Sequence, residues 1–143
     1  FAVSGRTGEV LLTLRHQVSY GYLDGFGDSI APAGDVDQDG RIDFAIGSSE
    51  FLGDEGDRYS VELFSGTDGH WIAGYESDRK HAVVGEARDF DRDGVPDLPI
   101  GLPEQDEVVI LSGREIRSRL SGAVIPRSEW PDLRSIRRDQ LPR

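Results

Sequence analysis

Apolar positions along this chain come in short runs broken by glycine and by acidic clusters, a pattern that predicts brief strands rather than helices. Phe26 to Pro32 and Ala82 to Ala87 each lead into an aspartate-rich stretch, and Phe44-Ala-Ile-Gly47 and Leu98-Pro-Ile-Gly101 leave those stretches. A β-rich run follows in each case, Ser60 to Phe64 and Val108 to Leu111. The first of these is closed by a glycine-rich turn, Ser65-Gly-Thr-Asp-Gly69, and a last strand, His70 to Gly74, whose counterpart near the chain start is Glu9 to Leu14. Four strands per unit are expected. Helical periodicity is scarce before residue 114, and glycines at this frequency would each cost a helix about 0.5–1 kcal/mol relative to alanine.

The units repeat. Gly34-Asp-Val-Asp-Gln-Asp-Gly-Arg-Ile-Asp-Phe-Ala-Ile-Gly47 aligns with Arg88-Asp-Phe-Asp-Arg-Asp-Gly-Val-Pro-Asp-Leu-Pro-Ile-Gly101 at a constant offset of 54 residues. Tyr59-Ser-Val-Glu-Leu-Phe-Ser-Gly66 matches Glu107-Val-Val-Ile-Leu-Ser-Gly113, with the Ser-Gly pairs only 47 apart because an intervening loop is shorter. The same Ser-Gly pair, followed by another glycine, occurs in Phe1-Ala-Val-Ser-Gly-Arg-Thr-Gly8. About two and a half units are present, which predicts an all-β fold: antiparallel four-stranded blades of a β-propeller, read as a fragment of a longer polypeptide. The expected division is the end of a preceding blade at 1–20, a first full blade at 21–75, a second blade at 80–120 and a basic tail at 121–143. Spiral and sandwich arrangements of the same sheets stay open at this point. In the tail, Ser128 to Arg138 is predicted as a short helix, with disorder as the alternative. A ring needs at least about four blades, so further blades of the same polypeptide or other copies of the chain are the expected partners.

Charge narrows the ligands. The net charge of −11 and pI near 4.6 disfavour nucleic acid and anionic membrane surfaces, and no apolar run is long enough for membrane insertion. There is no cysteine, so any bound metal must sit on oxygen. Both acidic stretches follow Asp-x-Asp-x-Asp-Gly-x-x-Asp, placing carboxylates at loop positions 1, 3, 5 and 9: Asp35, Asp37, Asp39 and Asp43 in the first, Asp89, Asp91, Asp93 and Asp97 in the second. Position 7, Arg41 or Val95, offers a main-chain carbonyl. Calcium prefers six to eight oxygens at about 2.3–2.6 Å, and alternate aspartates converge only if the backbone turns sharply at position 6, where Gly40 and Gly94 stand. Without a cation these carboxylates repel, so binding and folding should be coupled. The bland alternative is a pair of Asp-capped hydrophilic turns. A helical EF-hand is disfavoured, because its twelfth position calls for a bidentate acid and here carries Ile46 or Ile100 within β-like runs.

At these residues the chain resembles the FG-GAP repeat of the integrin α-subunit propeller and its bacterial relatives, over about 120 residues. Gly25-Phe-Gly-Asp-Ser-Ile-Ala31 stands where that family carries Phe-Gly, and Ala31-Pro-Ala-Gly34 before Asp35 is similar to its Gly-Ala-Pro segment. The resemblance implies a propeller, typically seven-bladed, in which calcium ties the first and second strands of a blade together. It also implies an extracellular or cell-surface location and a role in adhesion. The second repeat departs from the pattern at Lys80-His81, Arg88 and Pro99. Proline lacks a ladder donor, so Pro99 is expected at an edge or bulge.

A catalytic reading finds little support. His16, His70 and His81 are far apart in sequence and no nucleophile motif accompanies them, so packed or solvated histidines are expected. Glu50, Asp54, Glu55 and Asp57 could be paired on paper for glycoside chemistry, but loop acidity explains them. Trp71 and Trp130 read as core or interface filler. Two function classes result: a noncatalytic, calcium-binding extracellular module presenting loops to a protein or carbohydrate ligand, and an accessory domain of a larger secreted hydrolase or lyase.

Overall fold

Residues 1–17, 22–23, 25–51, 57–77, 81–103, 106–120 and 124–126 are described by a computed structural model of the chain. In chain order the strands are β1 (Ala2–Val3), β2 (Val10–Leu12), β3 (Tyr22–Leu23), β4 (Ser29–Gly34), β5 (Asp43–Phe51), β6 (Asp57–Phe64), β7 (Trp71–Ser77), β8 (Val83–Val84), β9 (Leu98–Leu102) and β10 (Glu107–Leu111). A short helix, α1 (Gly113–Ser118), and β11 (Val124–Pro126) follow.

The two-residue alternation is plain in β4, where Ala31 and Ala33 are buried while Ile30 is exposed, and in β9, where Leu98, Ile100 and Leu102 are buried. β4, β5, β6 and β7 form an antiparallel meander, with β3 lying beside the far end of β5 and β11 running parallel to the outer edge of β7. β8, β9 and β10 make a second antiparallel sheet, and β1 and β2 a separate hairpin. The fold is all-β with antiparallel sheets, consistent with blades of a propeller. One hydrophobic core serves both sheets: Ala31, Ala45, Val61 and Leu63 of the first belong with Val84, Leu98, Ile100 and Leu111 of the second. Burying each of the larger side chains contributes about 1.5–3 kcal/mol. Ala87 N–H also donates to the Pro32 carbonyl at 2.9 Å, joining the second unit to β4.

The second unit departs from the expected four strands. Where the first unit goes from β6 through a turn into β7, the second goes from β10 into α1. Both begin alike: Gly69 N–H bonds the Ser65 carbonyl at 3.0 Å, and Ile116 N–H bonds the Ser112 carbonyl at 2.9 Å. Gly8 N–H makes the same bond to Ser4 at 2.8 Å in the β1–β2 hairpin. Gly8 and Gly69 then reverse the chain with φ of 74° and 78°. Ile116 is β-branched and would be strained there. It instead continues helically and buries its side chain in the core, behind a cap in which the Ser112 hydroxyl accepts from Glu115 N–H.

Pro99 also departs from expectation, lying in the central strand of its sheet. It is accommodated because β8 ends at Val84: the next residue, Gly85, donates its N–H to the Pro99 carbonyl at 2.9 Å, and a Cβ on Gly85 would come within 2.9 Å of the Pro99 ring. Among the described residues no helix is long and apolar enough to cross a membrane. The expected tail helix at Ser128 to Arg138, together with Trp130, Asp54, Glu55 and Lys80, lies outside the described residues.

Candidate metal centre

The two acidic loops connect β4 to β5 and β8 to β9, and their backbones follow the same path. Gly40 and Gly94 take left-handed φ values of 88° and 86°, which is the sharp turn required at position 6. Position 4 is left-handed too, with φ of 65° at both Gln38 and Arg92, and nothing in the side-chain pattern announces it. A non-glycine residue in this region is strained by about 1–2 kcal/mol. Part of that is recovered by glycine despite its greater unfolded-state entropy, so Gln38→Gly should raise stability by about 0.5–1 kcal/mol in chemical denaturation. A loss of stability would show that the Gln38 side chain holds the turn.

The carboxylates divide into two roles. Asp43 and Asp97, at position 9, are fully buried and hold the loops' main chains. Asp43 Oδ2 accepts from Val36 N–H at 2.6 Å and Asp37 N–H at 3.3 Å, and its Oδ1 accepts from Gly66 N–H at 2.9 Å. Asp97 repeats this with Phe90 at 2.8 Å, Asp91 at 3.4 Å and Gly113 at 2.9 Å. Burial pushes the Asp43 carboxyl above the usual carboxylate range, against those same hydrogen bonds.

Asp35, Asp37 and Asp39 converge, each offering an oxygen within 4.8 Å of the others. In the second loop the converging set is Asp89, Asp91 and Asp97. Thus three of the four expected carboxylates meet in each loop: Asp43 stays outside the first set and Asp93 outside the second, while Asp97 joins its set although both of its oxygens also accept main-chain bonds. Asp93 Oδ2 is instead paired with Arg114 Nε at 2.8 Å. The corresponding oxygen of Asp39 accepts from the Ser65 hydroxyl at 3.2 Å. Hydrogen bonding, led by the Thr67 hydroxyl, holds the Asp39 carboxyl below its usual range. Desolvation first, then the charges of Asp97, Asp93 and Asp89, push the Asp91 carboxyl up.

The donor set is all oxygen, as a hard cation requires. Asp35 Oδ1 is shielded from solvent and has no hydrogen-bond partner, although Gly40 N–H donates to its Oδ2 at 3.1 Å. An orphaned, shielded carboxylate oxygen on a member of a converging set is a position a cation would satisfy. The residues therefore fit a divalent ion.

Ser65, Gly66, Gly113 and Arg114 touch these loops and were not legible as loop partners from spacing alone; the Ser-Gly pairs signalled only the repeat. Among the histidines, His70 lies beside the first loop, its Nδ1 2.7 Å from Asp68 and its Nε2 3.9 Å from Asp37. His16 is packed: its Nε2 is 3.0 Å from Glu62 and 3.3 Å from both the Ser48 and Ser60 hydroxyls. A proton relay puts the acid on one ring nitrogen and the nucleophile on the other. Here both face the same nitrogen, among buried residues.

The chain is 34% identical over 107 residues to integrin alpha-5 of Xenopus laevis and 31% identical over 103 residues to integrin alpha-V of Gallus gallus, in each case covering 64% of this chain. This is an integrin α-like repeat region of the FG-GAP type. The FG-GAP-type region spans about a tenth of the length of these relatives, each alignment covering 10% of the relative. No protein-family model matches the chain, and no solved structure matches it significantly.

Proposed function

We propose that this region is a noncatalytic, extracellular propeller module in which calcium, held by each acidic loop, fastens the first and second strands of a blade. The observation that carries this is the convergence of Asp35, Asp37 and Asp39, together with the shielded, unpartnered Oδ1 of Asp35. The Arg41 and Val95 carbonyls at position 7 would complete the ligand sets, with Asp43 and Asp93 close behind. A divalent ion would neutralise the clustered carboxylates, and because the loops join adjacent strands, it would stabilise the sheets as well. The integrin α likeness supports a place at the cell surface or outside the cell and a role in adhesion, with a protein or carbohydrate ligand met by the loops.

The blade division proposed is 1–20, 21–75 and 80–120, with 121–143 as a separate tail. Two outward faces support further blades on either side, from the same polypeptide or from other copies. On one, Phe26, Ile30, Phe44 and Ile46 line an open cleft of about 250 Å³ together with Phe1, Ala2 and Leu14, the segment read as the end of a preceding blade. On the other, Val83 and Val108 flank Gly101 in register and are 50% and 59% exposed.

Calcium titration by calorimetry, with thermal melting alongside, tests the reading. Binding at about 10⁻⁴–10⁻³ M is expected for an extracellular module, and calcium at a hundred times the dissociation constant should add about 2.7 kcal/mol. Absence of both heat and stabilisation in millimolar calcium would remove the proposal. Asp37→Ala should abolish the first site, and an unchanged titration would show that its ligands are elsewhere.

A further inference from the structure

The two loops match in sequence pattern and in backbone path, yet their converging sets differ at positions 5 and 9: Asp39 completes the first set, and Asp97 rather than Asp93 completes the second. Position 5 is Asp39 in the first and Asp93 in the second, and each accepts a main-chain bond at Oδ1, from Arg41 N–H and Val95 N–H respectively, both at 2.8 Å. The difference lies at Oδ2. For Asp39 the partner is the neutral Ser65 hydroxyl at 3.2 Å; for Asp93 it is the Arg114 guanidinium, Nε at 2.8 Å, with Nη2 also 3.5 Å from the Asp93 carbonyl. The side chains responsible occupy equivalent places, since Arg114 follows Ser112-Gly113 as Thr67 follows Ser65-Gly66. Asp39 accordingly belongs to the converging set of its loop, whereas Asp93 does not.

Arg117, from the same helix, reaches the first loop but bonds only the Asp35 main-chain carbonyl, at 2.7 Å. No carboxylate there is taken up by a guanidinium among the described contacts. His70 approaches Asp37 no closer than 3.9 Å.

We propose that Arg114 is an affinity-setting residue that withholds Asp93 from the cation of the second loop, making that loop the weaker of two calcium sites. This rests on the calcium reading above. Two effects act together. Arg114 occupies a carboxylate oxygen that the equivalent aspartate of the first loop leaves to a neutral donor. Its positive charge also repels any divalent ion held on the neighbouring carboxylates. For a single and a double positive charge about 5 Å apart in water, that repulsion corresponds to roughly tenfold in affinity.

The test is calorimetric titration of calcium into the whole chain and its variants, with melting in EDTA as a check on folding. Two binding steps separated by about tenfold or more are expected, and Asp91→Ala should delete the weaker one. Arg114→Thr, which installs the residue of the first unit, should bring the weaker step to within about threefold of the stronger, and Thr67→Arg should weaken the stronger step by about tenfold. Arg114 is 68% exposed, so its replacement leaves the core intact; Thr67→Arg provides a reciprocal test that does not touch α1. A weaker step unmoved by Arg114→Thr would overturn the inference while leaving calcium binding in place. So would deletion of the tighter step by Asp91→Ala. No heat in the unaltered chain would overturn the calcium reading itself, and this inference with it.

Discussion

Asp43→Ala is expected to destabilise the calcium-free protein by about 3–5 kcal/mol, far more than removal of Asp35, Asp37 or Asp39. Two opposing effects meet at this side chain. Burial disfavours its charge, which is why its carboxyl sits above the usual range, and alanine would relieve that. But alanine would also orphan the N–H groups of Val36 and Gly66, held at 2.6 and 2.9 Å, and weaken that of Asp37. An unsatisfied buried donor costs about 1–3 kcal/mol, so two of them outweigh the relief. Asp43→Asn should also be damaging, because an amide has only one acceptor oxygen for donors arriving on both sides. Asp37→Ala should be nearly neutral in EDTA. Urea denaturation in EDTA decides the matter: an Asp43→Ala protein within about 1 kcal/mol of the unaltered chain would mean that water replaces the carboxylate.

Gly66→Ala and Gly113→Ala are expected to be comparably severe, by about 3 kcal/mol or more each, with loss of folding as the extreme. A Cβ at Gly66 would run into the Ile42 carbonyl, and at Gly113 into the Pro96 carbonyl, which stands at the same loop position. These are main-chain atoms and cannot swing away. The closeness has a cause, because each glycine must bring its N–H to a buried aspartate, Asp43 or Asp97, at 2.9 Å. Gly5 provides the internal control. It holds the equivalent Ser-Gly position in the first hairpin but has nothing within 4 Å of a built Cβ, so Gly5→Ala should change stability by no more than about 0.5 kcal/mol. Equal effects at Gly5 and Gly66 in thermal melts would show that the glycines matter for turn conformation and not for approach to the loop.

Strand positions were legible because short apolar runs bounded by glycine and acidic clusters are too brief for helices. The brief run expected at Phe44 to Gly47 lies within the longer β5, and Val108 to Leu111 lies within β10. Less legible was the fourth strand of the second unit. The sequence between Ser112 and Ile116 contains a Ser-x-x-Glu cap, Ser112 to Glu115, that could have been read as a helix start. Repetition of the Ser-Gly pair masked it, since the first three residues of the two turns do run alike.

The aspartate spacing by itself determined that two loops would turn at Gly40 and Gly94, and short apolar runs punctuated by glycine determined an all-β chain, because both follow from local backbone geometry. Tertiary structure alone decided how the carboxylates divide their work. Which oxygens face main-chain donors from a turn 23 residues downstream, as Asp43 faces Gly66, depends on how β5, β6 and the following turn pack together. Whether position 5 meets a hydroxyl or a guanidinium depends likewise on what the next turn brings across the loop, and a motif read along one segment carries no record of its neighbours in space.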